Sequence, residues 1–285
     1  MNADCLDLLA TGELTVLGAI GSASNLTVAC EVSDGAVTMR CVYKPVRGEE
    51  PLWDFPDGTL AGREVASYLI SDALGWDLIP DTVLRADGPA DVDLGPGMVQ
   101  RWITAHPDDG DGDDGPGDDG TGDERIEAVD IVPAGAVPPG YCRVLNAYDQ
   151  RGNHVVLVHE NSDRLRRLAV LDVILNNADR KGGHILVDRD RRLYGIDHGI
   201  CLHRERKLRT VLWGWARTPV PESDIADLRR LGTALDDPRG PLVTRLSALI
   251  TEAEIDALAR RVATLVGDPI MPAPPADRAI PWPPF

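Results

Sequence analysis

The sequence predicts an α+β chain of two lobes, an antiparallel β-rich N-lobe followed by a mainly helical C-lobe. Three observations predict it. Short β-branched runs punctuated by glycine and proline crowd the first 104 residues around a single helical pattern. Apolar residues recur at helical spacing through much of residues 162–267. Between these parts, residues 107–124 (PDDGDGDDGPGDDGTGDE) carry nine acids and no base.

Taken in order, residues 13–32 (ELTVLGAIGSASNLTVACEV) read as two strands joined by Gly18, Gly21 and small hydroxyl residues. AVTMRCVYKP is a third strand, stopped at Pro45, which cannot continue a central strand. TLAGREVASYLISDALGW is a helix, with Thr59 as N-cap and Gly75 as terminator. Val65, Ala66, Leu69, Ile70, Ala73 and Leu74 form its apolar stripe. DTVLRAD and GMVQRWI are two further strands. The N-lobe is thus expected over residues 1–104 and an acidic Gly/Asp-rich insertion over 105–131. Such a composition cannot bury a core and reads as disordered. It also lacks the closing Glu and flanking helices of an EF-hand calcium loop. The C-lobe is expected over 132–268. SDRLRRLAVLDVILNNA is a helix capped by Ser162 or Asp163, and HILVD and RLYGID are short strands bridged by charged turn residues. PESDIADLRRLGTAL, PLVTRLSALI and TEAEIDALARRVATLVG are helices, the last opening with a capping box of Thr251 and Glu254. Residues 269–285 form a proline-rich tail, expected to be dispensable for activity.

The totals exclude several classes. A net charge of −17 opposes nucleic acid and anionic lipid as partners. Without the nine acids of residues 107–124 the balance is −8, so the excess is largely one tract. No apolar run is long enough for a transmembrane segment, and MNADCLDLLATGEL has no basic start of a secretory signal. Five scattered cysteines suggest reduced thiols and a cytoplasmic location.

The polar residues of interest cluster in NNADRKGGHILVDRDRRLYGIDHG, residues 176–199. Asp179 and Asp197 bracket a hairpin, which brings their carboxylates close. Two such groups repel unless a cation lies between them. Lys44 sits on a strand with apolar neighbours, where an ammonium is costly without an anion. Glu64, early in the following helix, can orient it. In GAIGSASN, backbone N–H groups and the hydroxyls of Ser22 and Ser24 can cover phosphates. Phosphoryl transfer asks for these parts: donors on the phosphates, hard oxygen ligands for a divalent cation, and a carboxylate at the acceptor hydroxyl.

NNADRKGGHILV followed by GIDHG resembles the catalytic and metal-binding segments of the phosphatidylinositol 3-/4-kinase superfamily, and VYKPVRGEEPLWDFP is similar to the lysine segment of its type II 4-kinases. The chain looks most like an actinobacterial group of small phosphatidylinositol-kinase-like proteins, and more distantly like HipA-type kinases. The resemblance implies a protein-kinase-like fold, ATP, and Mg²⁺ or Mn²⁺. It also implies site roles. Asp179 is the catalytic aspartate, with Arg180 beside it. Lys44 and Glu64 serve the α/β-phosphates, Gln100, Arg101, Trp102 and Ile103 form a hinge against adenine, and Asp197 is the principal metal ligand. Where the family has a metal-binding asparagine, five residues after the catalytic aspartate, this sequence has His184. Imidazole favours transition metals more than Mg²⁺. The stretch LHRERKLRTVLWGWARTP takes the place of the acceptor-selecting loop, with Trp213 and Trp215 read as packed on the C-lobe core. The expected function is an ATP-dependent kinase acting on a hydroxyl of a protein or soluble molecule. A phosphoinositide kinase or a catalytically weak nucleotide-binding module is the alternative.

Overall fold

The computed structural model describes residues 2–21, 25–104 and 127–285. Its N-lobe is a five-stranded antiparallel sheet of β1 (Glu13–Ala19), β2 (Val28–Ser33), β3 (Thr38–Pro45), β4 (Thr82–Arg85) and β5 (Gly97–Arg101). Their spatial order is β1-β2-β3-β5-β4. These are the five strands expected. β2 alternates buried and half-buried residues, as a strand with one face on a core must. That core comprises Val28, Cys30, Val32, Cys41, Tyr43 and Val99. It is closed by Leu8 and Leu9 of a helix that the sequence reading did not include, α1 (Asn2–Thr11).

Helix α2 (Leu60–Leu74) packs between the sheet and the C-lobe. Thr59 caps it by accepting from Gly62 N at 2.9 Å. Gly75 ends it at φ 70°, a left-handed conformation glycine adopts without steric cost. Most of α2 is buried, including Arg63. Arg63 pairs at 2.6 Å with Glu254 of α6 (Glu252–Gly267) and donates to the carbonyls of Cys201 and Asp57. Glu254 also accepts from Thr251 N at 3.0 Å, closing the capping box.

The C-lobe holds α3 (Asp163–Leu175), α4 (Glu222–Leu235), α5 (Pro241–Ser247) and α6, capped at α3 by Ser162. Their apolar faces share one large core with α2. One difference from the sequence reading appears here. The lobe opens with a three-stranded antiparallel sheet of β6 (Val129–Pro133), β7 (Tyr141–Tyr148) and β8 (His154–Glu160), in the order β6-β8-β7. Val129 to Ile131, which the reading placed in the acidic insertion, therefore belong to a strand whose partner is β8. Residues 105–126 lie outside the described residues.

The tail, whose placement the sequence left open, is bound to the C-lobe. Met271 is buried and exchanges backbone hydrogen bonds with Arg217 and Thr218. The Ala279 carbonyl accepts from Thr210 N and Trp213 Nε1, and the Pro284 carbonyl accepts from Gly182 N at 2.8 Å. Trp213 and Trp215 are both buried, in a short 3-10 turn. Among the described residues no helix is long and apolar enough to cross a membrane.

Candidate active site

The cleft between the lobes is built from four pieces of chain. β3 delivers Lys44 near its end, because Pro45 stops the strand one residue later. α2 delivers Glu64 from its second turn. The C-cap of α3 delivers Asp179: Asn176 turns left-handed at φ 54°, and Asn177 locks the loop behind it. Asn177 accepts from Asp179 N at 2.9 Å and donates to Asp172 at 2.9 Å. The hairpin of β9 (Ile185–Val187) and β10 (Leu193–Gly195) then carries the chain out and back to Asp197.

Five of the expected residues converge. The Lys44 ammonium bonds Glu64 Oε1 at 2.7 Å and also makes a short ion pair with Asp197 Oδ1. His184 Nε2 lies 3.5 Å from Asp197 Oδ2. Asp179 is close enough for the Asp197 charge to act on it, and its own carboxylate lies 3.5 Å from Lys181 Nζ. Burial would lower the Lys44 ammonium, but Glu64 and Asp197 outweigh burial and raise it. Burial would likewise raise the Asp197 carboxyl, but Lys44, His184 and Arg180 hold it below its ordinary value. Asp179 is raised, chiefly by burial and further by Asp197, against the opposing cations Lys181 and Arg209. Burial brings His184 down to about 4, so its ring is neutral at neutral pH.

Two adjoining cavities open here. One of about 170 Å³ is lined by Lys44, Glu64, Asp179, His184 and Asp197, with Asn25 at its edge. The other, of about 510 Å³, shares Lys44, His184 and Asp197 and runs to Gln100, Arg101, Trp102 and Ile103. Apolar side chains from both lobes face it, Ile20 and Val42 above, Leu186 and Ile196 below. Phe285 of the tail completes its lining. The amides of Arg101 and Trp102 are already engaged, with Asp81 O at 2.9 Å and Arg40 O at 3.1 Å. The Gln100 side chain is tied to Thr82 and that of Arg101 to Asp81.

Arg180 does not reach the cleft. Its side chain is fully buried, and its guanidinium meets the Asp172 carboxylate, the carbonyls of His184 and Ile196, and His198 Nε2 at 2.6 Å. The expectation of Arg180 as a catalytic residue is therefore corrected: every direction of its guanidinium fork serves the loop that carries Asp179 and His184. Ser22 and Ser24 lie outside the described residues. Lys181, Asn25 and Phe285 line the site without having been singled out. The first could have been read from its place two residues after Asp179.

A nucleotide-bound divalent cation fits the donors present. Asp179 and Asp197 offer hard oxygens, and the neutral ring of His184 has a buried Nδ1 without a hydrogen-bond partner among the described residues. Among the described residues no group of three or more His, Cys, Asp or Glu is placed to hold a metal ion by itself. Mg²⁺ on a nucleotide does not require one, since one or two carboxylates plus substrate phosphates usually hold it.

Comparison with known proteins agrees with this geometry. Residues 161–228 match the family model described as phosphatidylinositol 3- and 4-kinase. That segment contains α3, the Asp179 loop, the hairpin and Asp197. Protein Rv2133c of Mycobacterium tuberculosis (strain ATCC 25618 / H37Rv) is 53% identical over 278 residues, covering 98% of this chain and 94% of the relative. The crystal structure of the golgi casein kinase superposes with a TM-score of 0.51 at 15% identity, over 93% of this chain and 73% of the other. At that identity the likeness concerns the fold, which is kinase-like.

Proposed function

Because the chain belongs to one family with Protein Rv2133c and carries a phosphatidylinositol 3- and 4-kinase segment on a kinase-like fold, we propose that it is an ATP-dependent phosphotransferase. It moves the γ-phosphoryl group to a hydroxyl of a protein or soluble molecule. One observation carries the reading. Lys44, Asp197 and His184 line both of two adjoining cavities, the smaller of which also holds Asp179 while the larger ends on the apolar walls a purine requires.

In this reading the adenine ring lies between Ile20 and Val42 on one side and Leu186 and Ile196 on the other. Ile103 and the carbonyls of the β5 end meet its edge. Lys44, held by Glu64, binds the α/β-phosphates, which must replace Asp197 as one of its anionic partners. Asp197 and His184 would hold the divalent cation, Mg²⁺ or Mn²⁺. That cation supplies neutralisation of the charge developing on the phosphates. Asp179 accepts the proton of the acceptor hydroxyl as its oxygen bonds to the γ-phosphorus and the bond to the ADP oxygen breaks. Burial raises the Asp179 carboxyl, and a carboxylate so raised is a stronger base than an exposed one. Arg180 positions the loop. The net charge of −17 supports a soluble acceptor over an anionic membrane, and five free thiols support the cytoplasm.

The test is γ-phosphoryl transfer from ATP under Mg²⁺ and Mn²⁺, measured on lysate proteins and on phosphoinositide vesicles. Asp179→Asn is expected to lower transfer by about 10²–10⁴-fold while ATP still raises the melting temperature. A second reading, a nucleotide-binding module with weak or absent catalysis, is favoured by His184 at the family's asparagine position. ATP binding without transfer under either metal would support that reading and overturn the first.

A further inference from the structure

We infer that Phe285 is a wall of the nucleoside pocket, so that the proline-rich tail is part of the binding site. The inference rests on the nucleotide reading of the cleft. Four observations carry it. First, the ring lines the same cavity as Gln100, Ile103, Leu186 and Ile196. Second, the ring lies on Gly182 so closely that a Cβ there would sit 2.2 Å from its Cε1. Only glycine admits that contact, three residues after Asp179. Third, the approach is fixed by backbone: Gly182 N donates to Pro284 O at 2.8 Å, and Ala279 O is held by Thr210 N and Trp213 Nε1. Fourth, Phe285 stays 43% exposed although it faces a cavity, so its ring keeps apolar surface that a bound ligand can cover.

The dimensions distinguish a wall from a plug. With the ring in place the cavity still measures about 510 Å³. Pockets for small ligands and cofactors span roughly 300–1,000 Å³, so an adenosine does not need to expel Phe285. Phe285 shares the apolar lining with Ile20, Val42 and Leu186, and its proposed contact is with base and ribose rather than with the triphosphate.

The experiment is calorimetric titration of the full chain with ATP and with inorganic tripolyphosphate. Phe285→Ala is expected to weaken ATP about 10-fold, the size of a lost aromatic–base contact, with tripolyphosphate unchanged. Phe285→Trp is expected to keep affinity. Gly182→Ala is expected to mimic Phe285→Ala, and the double variant to be no worse than either single one. Trp282→Ala, an exposed tail residue outside the cavity lining, serves as the control with unchanged affinity. Equal or tighter ATP binding by Phe285→Ala overturns the wall. A wild-type chain that binds no ATP overturns the nucleotide reading as well, which separates the two failures. Melting temperatures without ligand show that each variant is folded.

Discussion

Asp197 adopts a left-handed backbone, φ 57°, at the point where its carboxylate meets Lys44 and His184. Aspartate and asparagine tolerate that region better than other side chains, and such conformations persist where surrounding structure over-determines them. Asp197→Asn should therefore keep the fold, within about 1 kcal/mol by urea unfolding, yet lower transfer on the order of 10²–10³-fold through loss of the charge. Asp179 gives a pH prediction. It must be ionised to accept a proton, and burial raises its carboxyl, so kcat/KM should fall as pH drops through a midpoint above the ordinary value of about 4. Lys181→Ala removes a cation that opposes the rise, and the midpoint should move further up; a pH profile of the variant checks the direction. At this scale the sequence was informative. That Lys44, Asp179 and Asp197 come together was legible, because an ammonium on an apolar strand and two carboxylates bracketing a hairpin are costly without a shared counter-charge, whereas His184 was found through the resemblance alone. Arg180 was misread because adjacency to Asp179 in sequence says nothing of which way a side chain points. Its guanidinium runs inward to Asp172 instead.

Among the elements, α2 couples the site to the C-lobe. Its Glu64 orients Lys44, and one residue earlier Arg63 is tied to Glu254 of α6. Removing one partner leaves the other charge buried and unpaired. Arg63→Ala should therefore cost roughly 3–5 kcal/mol by denaturant unfolding. Strands and helices with clear periods and caps were read correctly, as at Thr59, Gly75, Ser162 and Thr251. α1 was not, because ten residues make a marginal helix alone and the packing of Leu8 and Leu9 on the sheet decides it. The sheet of β6, β7 and β8 was also missed. Its β7–β8 turn is nonetheless written in the sequence: Asp149 accepts from Arg151 N and Asn153 N, and Gly152 adopts φ 81°.

At the scale of the whole molecule, burial holds His159, His184 and His198 below their ordinary value. His159 and His184 are brought down to about 4 by burial, and His198 lies well below its ordinary value for the same reason and because of Arg180. As pH falls from 6.5 towards 4, the unfolded chain takes up protons that the native state resists. Stability should then decline, by an amount on the order of 3 kcal/mol for each of His159 and His184, with His198 acting in the same direction. Urea unfolding against pH measures the slope. The docking of residues 269–285 was invisible locally, since the contact between Gly182 and Phe285 spans over a hundred residues of sequence. The most direct test is of the pocket that Lys44, Asp179 and Asp197 share. ATP turnover should be measured for the wild-type chain, Lys44→Ala and Asp197→Asn, with Mg²⁺ and with Mn²⁺. Phosphoryl transfer by the wild type, lost at least 100-fold in both variants, is the predicted result. Undiminished transfer in either variant would contradict a phosphotransferase site built on these residues.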